Sequence, residues 1–166
     1  MKAILRDKTN GQSISDVVFG AAPRINAAGR MKHGLHAVEL LLSNSEQEAA
    51  HIAGEIETFN TSRKEVEQEI TQEALAQIEA NNEEESATSV VFSSNWHKGV
   101  IGIVASRLIE KYYRPTLVFT KANEGILAAS ARSVRGFDVY AAIDACSAHI
   151  IPVSYTHLTL PTSRSV

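Results

Sequence analysis

The chain has 166 residues, a formal net charge of −3 and one cysteine, Cys146. A chain of this length buries roughly 70% of its unfolded surface, which is enough for one domain or two small ones. The charge excludes a globally basic nucleic-acid-binding protein but allows a local basic cleft. The single cysteine excludes a disulfide framework and favours a reducing cytoplasm, and the sequence shows no signal peptide or membrane-spanning run.

Residues 16–31 form a stretch rich in small side chains that we predict to be a rigid loop. Pro23 favours extended backbone before it, and in extended geometry Arg24 and Asn26 project to one side, with Arg30 following three small residues. Two guanidinium groups and an amide suit an anion, because guanidinium matches phosphate oxygens in a fork. A structural corner with one arginine paired to a buried carboxylate explains the pattern equally well.

Two helices are predicted next, a short one over 36–42 and a long one over 45–80. In the long helix apolar residues recur at spacings of three and four, and Ser45 with Glu48 forms a capping box. Its length of roughly 50 Å exceeds the need of a small domain, so it is predicted to connect two domains. A coiled-coil dimer is the alternative. The acidic stretch 81–86 is the predicted boundary.

A strand, a polar turn and a helix N-terminus follow the boundary. Residues 89–93 are apolar and β-branched, and apolar residues after Gly99 have helical spacing until an Arg-Pro pair ends the helix. The unpaired N–H groups and the dipole of a helix N-terminus favour a phosphate there, with His97 at the same turn. Alternatively, Gly99 and Gly102 only permit close packing of the helix on the sheet.

Two more strands are predicted over 116–120 and 126–133. In the second of them Ser130 and Arg132 are two residues apart, so both project from one face. A hydroxyl beside a guanidinium makes a compact phosphate clamp, although a plain Ser/Arg surface strand has the same pattern. Asp138 is predicted to cap a final helix.

Together these elements predict the α/β class. We expect one domain over 1–43, a long connecting helix over 44–82 and a second α/β domain with a mixed sheet over 83–152. The final helix is predicted over 139–146. The Ser- and Thr-rich tail over 153–166 is predicted to be a non-native extension.

Four separate motifs resemble those of the RecJ-like single-stranded-DNA exonucleases of the DHH phosphoesterase superfamily, in order and in spacing. They are Ala22-Pro-Arg-Ile-Asn-Ala-Ala-Gly-Arg-Met31, Trp96-His-Lys-Gly-Val-Ile-Gly-Ile-Val-Ala-Ser-Arg107, Arg114-Pro115 and Ser130-Ala-Arg-Ser-Val-Arg-Gly-Phe137. The resemblance covers about residues 1–150.

The resemblance implies that 1–43 ends a DHH-type catalytic domain and that 83–152 begins a DHH-associated nucleic-acid-binding domain. It implies hydrolysis of phosphodiester bonds from the 5′ end of single-stranded DNA in repair and recombination, with Mn²⁺ or Mg²⁺. It further implies a cytoplasmic monomer, with a single-stranded-DNA-binding protein as a candidate partner. The predicted phosphate-binding residues are Arg24, Asn26, Arg30, His97, Gly99, Ser130 and Arg132.

The sequence departs from the family in lacking the Asp-His-His triplet and the Gly-Gly-His motif. The OB-fold of longer members is also missing. We therefore predict an internal fragment that binds no metal, carries no catalytic residue and is inactive alone. The alternatives are a non-catalytic single-stranded nucleic-acid-binding module, another DHH-superfamily phosphoesterase, or a helix-mediated dimer. Trp96 and Phe137 are the candidates for base stacking, and both suit the core as well.

Overall fold

The computed structural model describes residues 13–123 and 125–149. Residues 13–80 contain only helices, and three of them are regular: α2 (Ala22–Met31), α3 (Leu35–Leu42) and α4 (Glu46–Ala80). A single turn, α1 (Ile14–Asp16), leads through a π-helical segment, Val17–Ala21, directly into α2.

The prediction of a loop over residues 16–31 is wrong, because this stretch is helical. Pro23 lies in the first turn of α2, where a missing N–H is tolerated and a fixed φ suits the helix. The wider π-helical turn precedes it, and the Ala22 N–H donates to the Val17 carbonyl. The strand-like alternation expected for Arg24 and Asn26 is therefore replaced by helical spacing.

The long connecting helix is confirmed as α4, whose 35 residues span about 52 Å. The Ser45 hydroxyl accepts the Glu48 N–H at 3.1 Å and so caps the N-terminus of the helix. Its N-terminal half packs with α2 and α3 in one apolar cluster, and its C-terminal half packs in another. The first cluster contains Ala21, Ala28, Leu40, Ile52, Ala53 and Ile56. The second includes Ile70, Ala74, Ile78, Val91, Val104, Leu108 and Val118.

The rest of the chain forms β1 (Ser89–Ser93), α5 (Ile101–Tyr112), β2 (Thr116–Asn123), β3 (Ile126–Arg132) and α6 (Val139–Asp144). The second cluster lies under a three-stranded sheet in the order β1-β2-β3. Strands β1 and β2 are parallel and strands β2 and β3 are antiparallel, so the predicted mixed sheet and α/β class are confirmed. Helix α5 connects the parallel pair and packs on one face of the sheet.

Two element ends differ by two or more residues from the sequence-based expectation. Strand β2 continues to Asn123, with an irregularity in the pairing between Lys121 and Asn123. Helix α6 is capped by Asp138 as predicted but stops at Asp144, and a short 3₁₀ turn, Ser147–His149, follows. The predictions for residues 1–12 and for the tail lie outside the described residues.

The Arg-Pro pair after α5 does more than end the helix. Arg114 is buried, and its guanidinium donates to the carbonyls of Glu83, Glu84 and Ser86 and to the Ser89 hydroxyl, at 2.6–2.8 Å. This residue therefore ties the acidic boundary segment to the start of β1. None of the described helices is long and apolar enough to cross a membrane.

Candidate nucleic-acid interface

The C-terminal end of α2 meets the turn that precedes α5. The Arg30 guanidinium donates to the Gly99 carbonyl at 3.1 Å. The two backbones are so close that a Cβ built on Gly99 would overlap the Arg30 carbonyl oxygen. Glycine is required at this position because any side chain would force the two segments apart.

The turn is held by Trp96, which is 4% exposed and belongs to the second cluster. Its indole N–H donates to Glu73 of α4 at 2.7 Å, and its carbonyl accepts the Thr120 hydroxyl of β2 at 2.6 Å. The ring is thus core and not available for base stacking. Phe137, the other stacking candidate, is 42% exposed, and its role stays a prediction.

His97 organises the first turn of α5. Its Nδ1 accepts the Gly99 N–H at 3.1 Å, and its carbonyl accepts the Val100 N–H at 2.9 Å. Because Nδ1 is used as an acceptor, Nε2 is the ring nitrogen left to donate a hydrogen bond to a ligand. The Gly99 amide, which the sequence offered to a phosphate, already has this partner.

Ser130 and Arg132 project from one face of β3, as predicted, and the structure places this face against α5. They pair with Val118 and Thr116, which are buried under the helix. A Cβ built on Gly102 would lie 3.0 Å from Ser130 Oγ and 3.2 Å from an Arg132 guanidinium nitrogen. The absent side chain at Gly102 therefore lets both residues reach the first turn of α5.

Two like charges meet at this place. Burial lowers the pKa of the Arg132 guanidinium, and the positive charge of Arg30 lowers it further. Both groups still remain protonated at any ordinary pH. Arg30 donates to the Gly99 carbonyl, and Arg132 donates to the Ala131 carbonyl and the Ser130 hydroxyl. Within the described ranges, no carboxylate pairs with either arginine, so no ion pair neutralises their charges.

The two remaining predicted residues lie on different sides of α2. Two positions along a helix differ by about 200°, so Arg24 and Asn26 face away from each other. Asn26 is exposed and lies one turn before Arg30, on the same side. Arg24 instead donates to the Glu57 carboxylate of α4 and to the Gly20 carbonyl.

This arrangement favours the ionised form of the Glu57 carboxyl group. Partial burial raises its pKa, but hydrogen bonds from Arg24 and Asn60 and the charges of Arg24 and Lys64 outweigh burial, so the net pKa is lowered. The alternative foreseen for the first motif, an arginine paired to a buried carboxylate, describes Arg24 in part, because Glu57 pairs with it but is half-exposed. The structure brings Arg30, His97, Gly99, Ser130 and Arg132 together and turns Arg24 away.

Sequence reasoning missed the residues that support this cluster. Glu73 and Thr120 hold the turn through Trp96, and each is more than twenty residues from it. No local pattern marks them, since their partners depend on the packing of α4 and β2. Across residues 13–123 and 125–149, no group of three His, Cys, Asp or Glu side chains is placed to hold a metal ion. The donor set for a catalytic metal is therefore not found in this part of the chain.

Among known protein families, one matches the part of the chain that contains the sheet. A model of the DHHA1 domain matches residues 84–150, which include β1, α5, β2, β3 and α6. This part of the chain is thus of the DHHA1 class, and the positive cluster lies where it meets α2.

The chain is similar to single-stranded-DNA-specific exonucleases named RecJ. The Bacillus subtilis protein is 40% identical over 131 residues, which is 78% of this chain and 16% of that protein. The Dickeya dadantii protein is 38% identical over 138 residues, 80% of this chain and 24% of that protein. The Escherichia coli protein is 37% identical over 133 residues, 78% of this chain and 23% of that protein.

Solved structures agree with the sequence relatives. RecJ from Thermus thermophilus in complex with Mn²⁺ superposes with a TM-score of 0.79 at 27% identity, covering 91% of this chain and 22% of that one. The complex with Mg²⁺ gives 0.77 at 28% identity, covering 89% and 23%. The chain is therefore RecJ-like, and it spans 16–24% of the length of these three curated relatives.

Proposed function

We propose that the cluster of Arg30, Ser130 and Arg132 binds backbone phosphates of an unpaired DNA strand. The observation that carries this proposal is the pair of guanidinium groups, Arg30 and Arg132, whose positive charges act on each other and neither of which pairs with a carboxylate among the described residues. Mutual repulsion is unfavourable in the free protein, and a phosphate between the two groups would remove it. A preformed positive site of this kind favours the binding of an anion and does not stabilise the fold.

The neighbouring groups have the chemistry that a phosphate needs. The Ser130 hydroxyl is a donor beside Arg132, and each charge-assisted hydrogen bond contributes about 1.5–3 kcal/mol. The N-terminus of α5, a helix of 12 residues, adds the positive end of its dipole. His97 offers its Nε2 proton, Gly99 permits the close approach of α2, and Asn26 extends the same side of α2 toward the strand.

We further propose the activity in which this site takes part. The chain contributes strand-binding elements to a 5′→3′ single-stranded-DNA exonuclease that hydrolyses phosphodiester bonds in DNA repair and recombination. The relatives named RecJ are single-stranded-DNA-specific, and two solved RecJ structures contain Mg²⁺ or Mn²⁺. Such a metal would activate water and stabilise the developing charge. The residues of this chain would hold the strand in line with that chemistry.

We also propose the domain organisation, the cellular location and the partners of the chain. Residues 1–43 are the end of the catalytic domain, and residues 83–152 form the strand-binding domain. Residues 44–82 form the helix that connects the two domains. The protein acts in the cytoplasm as a monomer, with a single-stranded-DNA-binding protein as a partner on its substrate. Arg24 serves the site from its ion pair with Glu57 and not by direct contact with phosphate.

The test measures affinity of the 166-residue chain for a fluorescein-labelled single-stranded oligonucleotide across a series of salt concentrations. Arg132→Ala should weaken binding and reduce the slope of log K against log salt by about one unit. Thermal stability should stay unchanged or rise, since the substitution removes repulsion from Arg30. Lys121→Ala is the matched control, because Lys121 is exposed and pairs with Leu127 on the side of β2 opposite the buried Thr120.

An unchanged slope in Arg132→Ala, or an equal loss in Lys121→Ala, contradicts the assignment. A loss of binding that parallels a loss of folded protein by circular dichroism contradicts it as well. Arg30→Ala supplies the second arm, with the same expected change of slope.

A further inference from the structure

Helix α4 carries a continuous row of hydrogen-bonded polar side chains between α2 and α5. At the α2 end, Glu57 accepts hydrogen bonds from Arg24 and from the Asn60 amide, the latter at 3.3 Å. The Asn60 carbonyl oxygen in turn accepts from the Arg63 guanidinium at 3.3 Å. Asn60 is only 2% exposed, so these bonds are made away from solvent.

The row continues to α5. Arg63 donates to one Glu67 carboxylate oxygen at 2.7 Å, and Arg107 of α5 donates to the other at 3.0 Å. Glu67 is 7% exposed and is thus held between two guanidinium groups. Arg107 also donates to Glu110 at 3.1 Å on its own helix. We name the row of Arg24, Glu57, Asn60, Arg63, Glu67 and Arg107 the α4 relay.

Both ends of the α4 relay lie on helices that carry the phosphate site. Helix α2 bears Arg24, at the start of the relay, and Arg30, which is in the site. Helix α5 bears Arg107, and its first turn contacts Ser130 and Arg132 through Gly102. A shift of either helix along α4 would therefore change the separation of Arg30 and Arg132.

The relay is not built for stability alone. Arg63 and Glu67 are largely buried, and a buried ion pair is often no more stable than apolar residues of similar volume, because desolvation offsets the attraction. Here the Arg63 Nε atom is also buried with no hydrogen-bond partner among the described residues, which adds a cost. Polar networks that are costly in this way fix one geometry, because their bonds are lost when the elements slide.

We infer that the α4 relay positions α2 and α5 so that Arg30 and Arg132 hold the spacing of a phosphate site. The inference rests on the proposed function, and it makes Glu67 and Arg107 positioning residues. Arg107 ends the motif that begins at Trp96, but its guanidinium is directed to α4 and not to the cluster of Arg30 and Arg132.

The sign of one substitution separates positioning from plain electrostatics. Glu67→Gln removes a negative charge beside a groove lined by Arg63, Lys64 and Arg107. If only charge mattered, a polyanionic strand would bind more tightly. If Glu67 positions the site, the oligonucleotide should bind about five-fold more weakly. Glu79→Gln is the matched control, since Glu79 also joins α4 to α5 through Lys111 at 3.2 Å and lies outside the relay.

A double-mutant cycle with Arg132→Ala shows whether the effect passes through the site. In the Arg132→Ala background, Glu67→Gln should have little further effect on binding, whereas independent effects would add. Arg107→Lys keeps the charge but cannot hold Glu67 and Glu110 as a planar fork, and it should reproduce the loss. Half of the Arg107 side chain is exposed, so this variant tests the relay even if Glu67→Gln unfolds.

Each outcome decides between the hypotheses. Tighter binding by Glu67→Gln, full additivity, or equal losses in Glu67→Gln and Glu79→Gln overturns the relay and leaves the phosphate site standing. If Arg132→Ala itself binds the oligonucleotide as well as the unmodified chain does, the proposed function fails before the relay is tested. Weak, non-additive binding by both relay variants establishes the positioning role.

Discussion

Gly99 lies in the turn before α5, and Gly102 lies in the first turn of α5. A methyl group added at each of them would contact different atoms. At Gly102 the nearest atoms are the ends of the Ser130 and Arg132 side chains, which can rotate away. At Gly99 the obstacle is the backbone carbonyl of Arg30, which cannot. The two glycines thus serve different purposes, room for the site at Gly102 and contact between α2 and α5 at Gly99.

Gly102→Ala should leave the free energy of unfolding nearly unchanged, because a helical alanine gains up to about 1 kcal/mol that offsets the crowding. Oligonucleotide binding should nevertheless fall several-fold as Ser130 and Arg132 shift. Gly99→Ala should lose stability by about 1–3 kcal/mol, a cost typical of overpacking. Urea unfolding and fluorescence anisotropy on both variants measure this. Equal loss of stability at the two positions would refute the distinction.

At the scale of elements, the helices and strands with regular apolar spacing were predictable, and α2 was the exception. Its loop prediction relied on Pro23 and on the small residues. The better signal was the spacing of Ala21, Ile25 and Ala28, which recur at four and three and lie in the first cluster. Helical periodicity outweighs one proline when the proline falls in the first turn, where it costs little.

Strand β1 lies at the edge of the sheet, and α4 satisfies that edge with one side chain. The Gln77 amide donates to the Phe92 carbonyl at 3.0 Å and accepts the Phe92 N–H at 3.2 Å, as a neighbouring strand would. Beside it, Val90 is 53% and Phe92 is 46% exposed. An unpaired edge beside apolar side chains is a template for pairing with a second chain.

Gln77→Ala should therefore lower the free energy of unfolding by about 0.5–1.5 kcal/mol and increase self-association. Urea unfolding and sedimentation velocity at micromolar concentration report the two effects. Gln72→Ala is the control, because Gln72 is an exposed glutamine of the same helix that lies outside this pair of bonds. A Gln77→Ala variant that stays as stable and as monomeric as the control would contradict the role.

At the scale of the molecule, α4 joins two apolar clusters, and Met31 at the end of α2 packs against the second one. The length of α4 was predictable because helical spacing is local. The proximity of Arg30 and Arg132 was not predictable from spacing, since it depends on how α2 and the sheet pack along α4. The resemblance to RecJ-like proteins implied that both residues bind phosphate, and the close contacts at Gly99 and Gly102 show how the fold brings them near each other.

Strand binding and strand cleavage should separate in this chain. The phosphate site needs only the residues described, whereas hydrolysis by a RecJ-like protein needs metal ligands, and the sequence has no Asp-His-His triplet. We expect the chain to bind a 5′-phosphorylated single-stranded oligonucleotide with salt-dependent affinity and not to shorten it in the presence of Mn²⁺. Denaturing gels with a chelator-treated control measure cleavage, and anisotropy on the same samples measures binding. Metal-dependent shortening that survives repurification would show that a complete catalytic site is present and would overturn the separation. Failure to bind, with the chain folded by circular dichroism, would instead remove the phosphate site.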